Sequence, residues 1–498
     1  MRLFLFSIGG SGARVLKSLL FTLSSGVQLN GISEVVPIII DPDKSNGDLL
    51  RTEEILKLYT KCRVAAKSKT ETEGFFRTKV TSLGELLRQN NGSQSFGNDQ
   101  FTFDIPGTQD LTFGEFIGYP ELQSNDPNKA LIELLFSDRN LESKMNVGFK
   151  GNPNLGSVVL NQFKELDLFK GFASVFNKSD KVFIISSIFG GTGASGFPLL
   201  VKNIRGATSD ISNHGSLNDS VIGAVSVLPY FNLEPNENSD IDSGTFVSKT
   251  KSALYYYEKN ITGNNSLNAL YYIGDSNLSD PYKNNEGAKM QKNDAHFVEF
   301  AAGLALLDFC NQDNLKTENG QAVNPLYSEY GVNKNEVFDS LNGRDLGIKS
   351  KEVVFKHLSK LGFLSLFLKN KLARSVSNKV RWSQHGKPKL NFDYFKSDFQ
   401  QTTFEPFMQH FATYMKELAT NSVAFDPFNE EVETTRIFDF INDHSAKPSL
   451  YLKNFATIDF YLNVAERESR SNHSNQKFFE VFYTGISKML KTKYENNG

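Results

Sequence analysis

Residues 182–205 hold the pattern that most constrains how this chain can fold. Residues 182–188 are an apolar run typical of a buried strand, and residues 197–205 have a helical pattern. Between them, four glycines lie in the seven residues 190–196. Glycines let the main chain curl so that amide N–H groups face an anion, and a helix start adds partial positive charge. The pattern predicts a phosphate-binding strand–loop–helix composed of Gly190, Gly191, Thr192, Gly193, Ala194, Ser195 and Gly196.

This glycine run differs from the phosphate loop of the P-loop NTPases. Those proteins need a glycine followed by lysine and then serine or threonine, because the lysine reaches the outer phosphates. Lys17 and Ser18 come nearest to this pattern, but Leu16 stands where the glycine is required. The predicted cradle therefore relies on backbone amides and hydroxyls, with a metal ion to offset the charge.

A second glycine turn lies near the N-terminus, between the apolar run 3–8 and the helical pattern 13–23. Another buried strand is predicted over residues 35–40, and Asp41 and Asp43 follow it. An acid at that position suits a ribose hydroxyl or a metal-bound water near phosphate. The order of these segments predicts a nucleotide-binding parallel sheet whose first turn consists of Gly9, Gly10, Ser11 and Gly12.

A Rossmann-type NAD-dependent oxidoreductase is a weaker alternative for the same half of the chain. It also has a glycine turn after its first strand and an acid after its second. The turn at residues 9–12 does not supply the Gly-x-Gly-x-x-Gly spacing, however, and that class has no need of a second cradle near residue 190.

Four loops of this sequence resemble the tubulin/FtsZ superfamily, in the order found in that family. Residues 190–196 are similar to its signature Gly-Gly-Gly-Thr-Gly-Ser/Thr-Gly, and residues 9–12 to the glycine run after its first strand. Residues 41–43 resemble the second loop, and Gly-Asn-Pro-Asn-Leu-Gly at 151–156 resembles the third. Residues 221–231 are similar to the family segment that flanks the ribose. The chain thus looks like a divergent prokaryotic tubulin-like protein.

The resemblance implies GTP or GDP as the ligand, with Mg²⁺. In this family's pattern Asp43 acts on the metal through water, and Asn152 and Gly156 lie beside the terminal phosphate. Glu234 stands where a ribose-binding carboxylate belongs, although an exposed loop acid fits it equally well. Asn293 opens the predicted central helix, where a side-chain amide reads the purine edge; it also suits a helix N-cap.

The resemblance is weakest for catalysis. In the family, acids in a loop after the central helix complete hydrolysis on the neighbouring subunit's nucleotide. That pattern is not recognisable here, and Asp313 is the nearest acid after the helix, with Glu318, Glu336 and Asp339 further along. Whether the chain is an enzyme is therefore left open; if active, it is a GTPase.

We predict an α/β fold in which a Rossmann-like parallel-sheet domain is followed by a long central helix and an α+β C-terminal domain. At 498 residues the chain exceeds the roughly 250–300 residues at which one core stops growing. The expected divisions are residues 1–290 with an inserted subdomain at about 44–150, the helix 291–312, and residues 313–498. The last part includes a strand-like piece at 455–462.

Composition narrows the functional classes further. A net charge of -2 and a pI near 6.4 argue against nucleic-acid binding. The widely separated Cys62 and Cys310 suit reduced thiols, which favours a cytoplasmic location. Apolar runs approaching about 18 residues are missing, so no membrane span is predicted.

The sequence therefore favours a tubulin/FtsZ-like GTP-binding protein, a slow GTPase if active, that assembles head-to-tail into filaments. The alternative is a non-hydrolysing, nucleotide-gated scaffold or subunit of a multi-protein prokaryotic system. In that case the segment 44–150 offers a surface to a protein partner whose identity the sequence does not specify.

Overall fold

The computed structural model describes residues 1–69, 72–92, 95–103, 105–235, 243–275, 281–283, 288–332, 341, 345–421, 424–442, 444–447 and 454–494. Glu336 and Asp339, the acids predicted further along the chain after the central helix, lie outside the described residues. The strands of the described part are β1 Arg2–Ile8, β2 Glu34–Ile40, β3 Lys79–Val80, β4 Thr102–Phe103, β5 Lys181–Ser187, β6 Val221–Val227, β7 Asn232–Leu233, β8 Ala269–Asp275, β9 Pro281–Tyr282, β10 Lys316–Glu318, β11 Gln321–Val323 and β12 Leu326–Val332.

Helices surround these strands along the whole chain. They are α1 Gly9–Ser24, α2 Gly47–Ala66, α3 Leu83–Asn91, α4 Phe113–Phe116, α5 Pro127–Leu135, α6 Asp138–Leu141, α7 Pro153–Leu160, α8 Asp167–Val175, α9 Gly191–Arg205, α10 His214–Asn218, α11 Phe246–Tyr257, α12 Phe297–Asn311, α13 Ile348–Glu352, α14 Ser359–Asn370, α15 Leu372–Ser377, α16 Arg381–Gln384, α17 Phe392–Phe395, α18 Glu405–Thr420, α19 Phe455–Glu468 and α20 Ser474–Tyr494. None of those described is long and apolar enough to cross a membrane.

A parallel sheet organises the fold, with the strand order β12-β8-β6-β5-β1-β2-β3. Strands β1, β2, β5 and β6 are buried at every position except the first, because helices cover both faces of the sheet. The predicted α/β class with a Rossmann-like parallel sheet is confirmed. Its carboxyl edge, where β1 leads into α1 and β5 leads into α9, is the edge at which ligands bind in such sheets.

Residues 44–150, predicted as an inserted subdomain, contribute directly to this sheet. Helix α2 packs against α1, and β3 and β4 both pair with β2, at its beginning and its end respectively. Helix α5 projects from this segment with Leu131, Leu134 and Leu135 exposed. The division of the chain into domains and the partner surface remain predictions.

The central helix α12 begins at Phe297, so the predicted start at Asn293 was wrong. The cap is His296, whose Nδ1 accepts a hydrogen bond from the amide of Val298 at 3.1 Å. Glu299 completes the capping box by accepting from the backbone amide of His296. Asn293 consequently lies in the segment that precedes the helix.

The regular structure of the described residues from 345 onward consists of helices, and their only β-pairing is in isolated bridges. This part of the chain therefore differs from the α+β arrangement expected there. The prediction of a strand-like piece at 455–462 was wrong, because these residues form the beginning of helix α19. Asn454 caps this helix by accepting a hydrogen bond from the amide of Ala456. The long pattern after Lys351 is one continuous helix, in which the π-helical segment Val353–Leu358 joins α13 to α14.

Candidate functional site

The two glycine turns meet at one point on the carboxyl edge of the sheet. Strands β1 and β5 are neighbours, and the helices that follow them begin side by side. A Cβ placed on Gly9 would lie 3.5 Å from the amide nitrogen of Gly193. Gly9 has a φ of +77°, which L side chains rarely adopt, so the turn from strand to helix depends on glycine.

These turns form the floor of a cleft to which five other segments contribute. Its lining residues are Gly9, Gly10, Ser11, Arg14, Asp41, Asp43, Asn46, Asp48, Val147, Gly148, Phe149, Lys150, Gly151, Ser187, Phe189, Gly190, Gly191, Thr192, Gly193, Phe231, Leu233, Phe246, Lys283, Gln291 and Asn293. The first residues of α1 and α9 line this one space, and neither helix has a side-chain cap, an arrangement that favours a bound anion.

Gly193 is the tightest position of the second turn. A Cβ there would lie 2.7 Å from the carbonyl oxygen and 2.9 Å from the amide nitrogen of Ser187, both backbone atoms of the preceding strand. Because backbone atoms cannot move aside as a flexible side chain can, only glycine fits without distortion. The close approach brings the start of α9 down onto the end of β5.

Two carboxylates lie on one side of the cleft, at the end of β2. The amide of Asp43 donates to Asp41 Oδ1 at 2.9 Å, and Asp43 Oδ1 accepts from the amide and the hydroxyl of Ser45. Burial raises the pKa of Asp41 to about 7; the hydrogen bond from Asp43 opposes this shift and the charge of Asp43 adds to it. Both carboxylates are nearly inaccessible to solvent.

The donor set suits Mg²⁺ only if the ligand supplies most of the oxygens. Among the described residues no group of three His, Cys, Asp or Glu side chains is placed to hold a metal. Mg²⁺ is commonly held by one or two carboxylates together with substrate phosphates and waters. Asp41 and Asp43 fit that role beside the phosphate turns.

A polar end of the cleft is formed by residues 46–48 and 291–293. Asn46 caps α2 and donates through Nδ2 to Oε1 of Gln291 at 2.6 Å. The backbone amide of Asn293 faces both carboxylate oxygens of Asp48 at 3.3 Å. These bonds hold the backbone of Asn293 at the cleft wall, and its side chain carries a donor and an acceptor.

Three phenylalanines form an aromatic wall in the cleft. The ring centroids of Phe189 and Phe246 are 4.9 Å apart, and those of Phe189 and Phe231 are 5.6 Å apart. Arg14, whose guanidinium lies 5.9 Å from the Phe231 ring centroid, adds a buried cation beside the wall. Such a surface can accommodate a flat ring or the apolar face of a sugar.

The structure brings together ten of the residues that the sequence singled out. They are Gly9, Gly10, Ser11, Asp41, Asp43, Gly190, Gly191, Thr192, Gly193 and Asn293.

Four other residues of the two glycine motifs and the third loop lie behind the cleft and serve packing. A Cβ on Gly12 would approach the carbonyl carbon of Ser7 to 2.9 Å, and one on Gly196 would contact Ile8. Ser195 donates its hydroxyl back to the carbonyl of Gly191 at 2.7 Å, within its own helix. Gly156 lets α7 approach α9, since a Cβ there would collide with the same serine hydroxyl.

Asn152 and Ala194 line a neighbouring cavity of about 770 Å³ rather than the cleft. The side chain of Asn152 is occupied as the N-cap of α7, accepting from the amide of Asn154 at 3.1 Å. Residues 149–151 separate the two spaces and line both. The third loop therefore reaches the cleft through Gly151, one residue before the predicted asparagine.

Two predicted acids lie away from the cleft. Glu234 is exposed and is held there by its backbone amide, which donates to the carbonyl of Tyr282. Asp313 is exposed beyond the C-terminal end of α12, where Asn30 donates to it at 3.4 Å. Asn30 precedes β2, so this contact marks the amino edge of the sheet, opposite the cleft.

Sequence reasoning missed several residues of the cleft. Arg14 lies two residues after the first glycine turn, and Asn46 and Asp48 flank the start of α2, so all three positions carried a readable signal. Lys150 and Lys283 lie in loops whose approach to the cleft depends on tertiary folding, and no local pattern marks them.

A buried ion pair joins Arg14, which lines the cleft, to Glu299 of the central helix. Arg14 Nη2 lies 2.5 Å from Glu299 Oε1, and it also donates to the carbonyl of Asp294 at 2.8 Å. The hydroxyl of Tyr230 donates to the same carboxylate oxygen at 3.0 Å. The second turn of α1 is thereby fixed to the first turn of the central helix.

A second charged cluster links the cleft to the C-terminal helices through Glu417 of α18. Arg51 Nη1 donates to Glu417 Oε1 at 2.6 Å, while Arg51 Nη2 donates to Asp48 at the cleft wall. The amide of Ala295 donates to the other oxygen of Glu417 at 2.9 Å. The Lys17 Nζ atom lies 3.8 Å from that oxygen and has no hydrogen-bond partner among the described residues.

We predict that Lys17→Met stabilises the protein at pH 7. Burial, and then the charge of Arg51, lowers the pKa of Lys17 to about 8. The unfolded chain holds this proton more tightly than the folded one, so wild-type stability rises as pH increases from about 8 towards 10.5. Methionine removes the free-energy cost of keeping a charged ammonium group buried at pH 7. The size of the pKa shift puts this cost at about 3 kcal/mol at most.

Thermal unfolding midpoints between pH 7 and 10 test this expectation. The gain of Lys17→Met over wild type should shrink as the pH rises, while Lys251→Met, at an exposed position of α11, should behave as wild type. A lower midpoint for Lys17→Met at pH 7 would contradict it.

No protein-family model matches this sequence, and no curated protein matches it. Among solved structures, the chain is similar to CetZ2 from Haloferax volcanii in a GTPγS-bound protofilament, with 12% identity, a TM-score of 0.30, and coverage of 63% of this chain and 61% of that one. CetZ from Methanosaeta thermophila aligns at 12% identity and a TM-score of 0.29, covering 62% and 54%.

A GTPγS-form protofilament of TubZ from Bacillus thuringiensis serovar israelensis aligns at 10% identity and a TM-score of 0.27, covering 86% and 82%. The alignments thus span less than two thirds of both CetZ chains. Since these TM-scores are low, nothing about the site of this chain is inferred from them.

Proposed function

We propose that this protein binds GTP or GDP, with Mg²⁺, in the cleft between its two glycine turns. The observation that carries the proposal is the proximity of turns that are far apart in sequence: Gly9 and Gly193 line one cleft at the carboxyl edge of the sheet, and a Cβ added to Gly9 would lie 3.5 Å from the amide nitrogen of Gly193. Two helix N-termini aimed at the same space suit a polyphosphate better than a single carboxylate.

The remaining parts of a nucleotide have complementary surfaces in the same cleft. Asp41 and Asp43 would hold Mg²⁺ and its waters against the phosphates. The metal's positive charge would offset the negative charge of these two carboxylates beside the phosphates. The aromatic wall formed by Phe189, Phe231 and Phe246 suits the sugar or the base. Asn293 lines the cleft, and its side-chain amide would donate to and accept from the edge of a purine.

Head-to-tail assembly is part of this proposal. Asp313 lies at the amino edge of the sheet, so it does not reach the cleft of its own chain. If copies stack with the amino edge of one on the carboxyl edge of the next, the acid of one copy approaches the nucleotide of another. A carboxylate so placed can orient water for slow GTP hydrolysis.

A non-hydrolysing, nucleotide-gated scaffold is the second candidate, and one observation favours it. Among described residues the cleft's carboxylates are Asp41, Asp43 and Asp48, and Asp48 is engaged by Arg51 and the amide of Asn293. An acid poised as a general base is therefore not evident within one chain. Phosphate release that rises steeply with protein concentration would favour the GTPase; binding without release would favour the scaffold.

We predict that Asn293→Ala weakens GTP binding by about tenfold, because one or two hydrogen bonds to the base are worth roughly 1–2 kcal/mol. Isothermal titration calorimetry of the full chain with GTP and Mg²⁺ measures this. Asn128→Ala, at an exposed position of α5, is the matched control and should bind as wild type.

The same titration, run with ATP and NAD, separates the alternatives. Tight NAD binding that GTP does not displace would favour the oxidoreductase. An absence of binding by wild type at millimolar GTP with Mg²⁺ would overturn the proposed function.

A further inference from the structure

A cavity of about 600 Å³ lies in the helical C-terminal part of the molecule and shares no lining residue with the nucleotide cleft. Its walls come from the continuous helix 348–370, from α20 and from the segment that precedes β3. A volume of this size is typical of sites for small ligands.

The cavity concentrates positive charge in a protein whose net charge is -2. Two carboxylates, Glu73 and Glu352, are the acids among the described lining residues. Like charges gathered in one concave space repel each other, and a bound anion relieves that repulsion. The cations that line the cavity are Arg77, Lys351, Lys356, Lys360 and Lys491.

These cations are only partly neutralised by their neighbours. Lys356 pairs with Glu352 at 2.8 Å, and the Nζ atom of Lys360 donates to the hydroxyl of Tyr483 at 3.0 Å. The side chains of Lys351 and Lys491 form neither a hydrogen bond nor an ion pair within the described part of the chain. At least two ammonium groups at the cavity therefore keep their full hydrogen-bonding capacity.

Aromatic rings and a buried imidazole complete the walls. Phe355, His444 and Tyr494 stack in a column, with centroid separations of 4.5 and 5.2 Å. His357 lies in the π-helical segment, and its buried Nδ1 atom has no hydrogen-bond partner in the part of the chain that the structure describes. Burial, followed by the charges of Lys360 and Arg77, lowers the pKa of this imidazole to about 3. π-Helical turns inside α-helices are frequent at functional sites.

We propose that this cavity is a second binding site of the protein and that its ligand is a phosphate-bearing anion. Phosphate carries more charge than a carboxylate and has more acceptor oxygens, so it can satisfy several converging lysine and arginine donors at once. The stacked rings offer a flat surface to whatever group the phosphate is attached to. Both a soluble phosphate compound and a lipid headgroup have this chemistry.

Titration of the full chain with inorganic pyrophosphate tests the site directly. The test variant is Lys351→Gln with Lys491→Gln, which removes two positive charges without breaking a described ion pair. Losing two charge-assisted hydrogen bonds should weaken the pyrophosphate binding of this cavity about a hundredfold. The control, Lys349→Gln with Lys369→Gln, also removes two positive charges, but from positions of helix 348–370 that do not line the cavity. It should bind pyrophosphate as wild type does.

Any pyrophosphate binding in the nucleotide cleft persists in both variants, so the two sites are told apart whether or not GTP binds there. Sedimentation with phosphatidylcholine vesicles, with and without phosphatidic acid, distinguishes the sources. Pelleting that needs phosphatidic acid and is lost in Lys351→Gln/Lys491→Gln indicates a lipid headgroup, whereas pyrophosphate binding without pelleting indicates a soluble ligand. Identical pyrophosphate and vesicle binding by wild type and the test variant would overturn the proposal.

Discussion

Gly193→Ala is expected to reduce the affinity for GTP by about a hundredfold or more. The added methyl group would lie 2.7 and 2.9 Å from backbone atoms of Ser187, so the start of α9 must move away from β5. Overpacking of this kind costs about 1–3 kcal/mol by itself, and the shift also misaligns the amides that would face the phosphates. Calorimetric titration with GTP and Mg²⁺ measures the loss.

Gly215→Ala is the matched control, because a Cβ at that position has no atom within 4 Å. It should bind GTP as wild type does. Thermal unfolding of both variants shows whether Gly193→Ala still folds, and only a folded variant tests the cradle. Wild-type affinity in folded Gly193→Ala would refute the idea that this turn holds the phosphates.

Glu299→Ala should lower the free energy of unfolding by about 3–5 kcal/mol, the usual cost of leaving one member of a buried ion pair uncompensated. Arg14 is 3% exposed and would lose its carboxylate partner, and the hydroxyl of Tyr230 would lose its acceptor. The capping box at the start of the central helix would also be broken. Denaturant titration followed by circular dichroism measures the change.

The double variant Arg14→Met/Glu299→Leu separates the lost charge pair from a general packing defect. Replacing both members of a buried pair by apolar residues of similar size is often neutral, so most of the stability should return. If the double variant is less stable than Glu299→Ala, the uncompensated charge is not the cause.

The sheet and the turns at its carboxyl edge were predictable because short stretches of sequence specify them. Buried strands appear as unbroken apolar runs, and glycines mark the turns that follow them, as at 182–196. The start of the central helix was misplaced by four residues because Asn293 and His296 both have capping side chains, and only the tertiary bond of Asn293 to Asp48 decides between them. The piece 455–462 combines β-branched and aromatic residues, but packing against α20 makes it helical.

Ten of the 25 residues that line the cleft could be predicted from motifs, and the others could not. Gly10 and Asp43 follow strands, so their place at the sheet edge comes from topology alone. Phe246 and Lys283 enter from segments after β6 and β8, and their direction depends on contacts distant in sequence. Asn152 shows the limit of motif reasoning, since its side chain serves as a helix cap.

The position of β12 has a consequence for synthesis on the ribosome. This strand follows α12 in the chain, yet it closes the outer side of β8 in the same sheet as β1. While residues 326–332 are still inside the exit tunnel, the nascent chain already contains every element of the cleft, but one border of its sheet is open to pairing with other polypeptides. Translation must therefore pass residue 332 before β8 gains its second neighbour in the sheet.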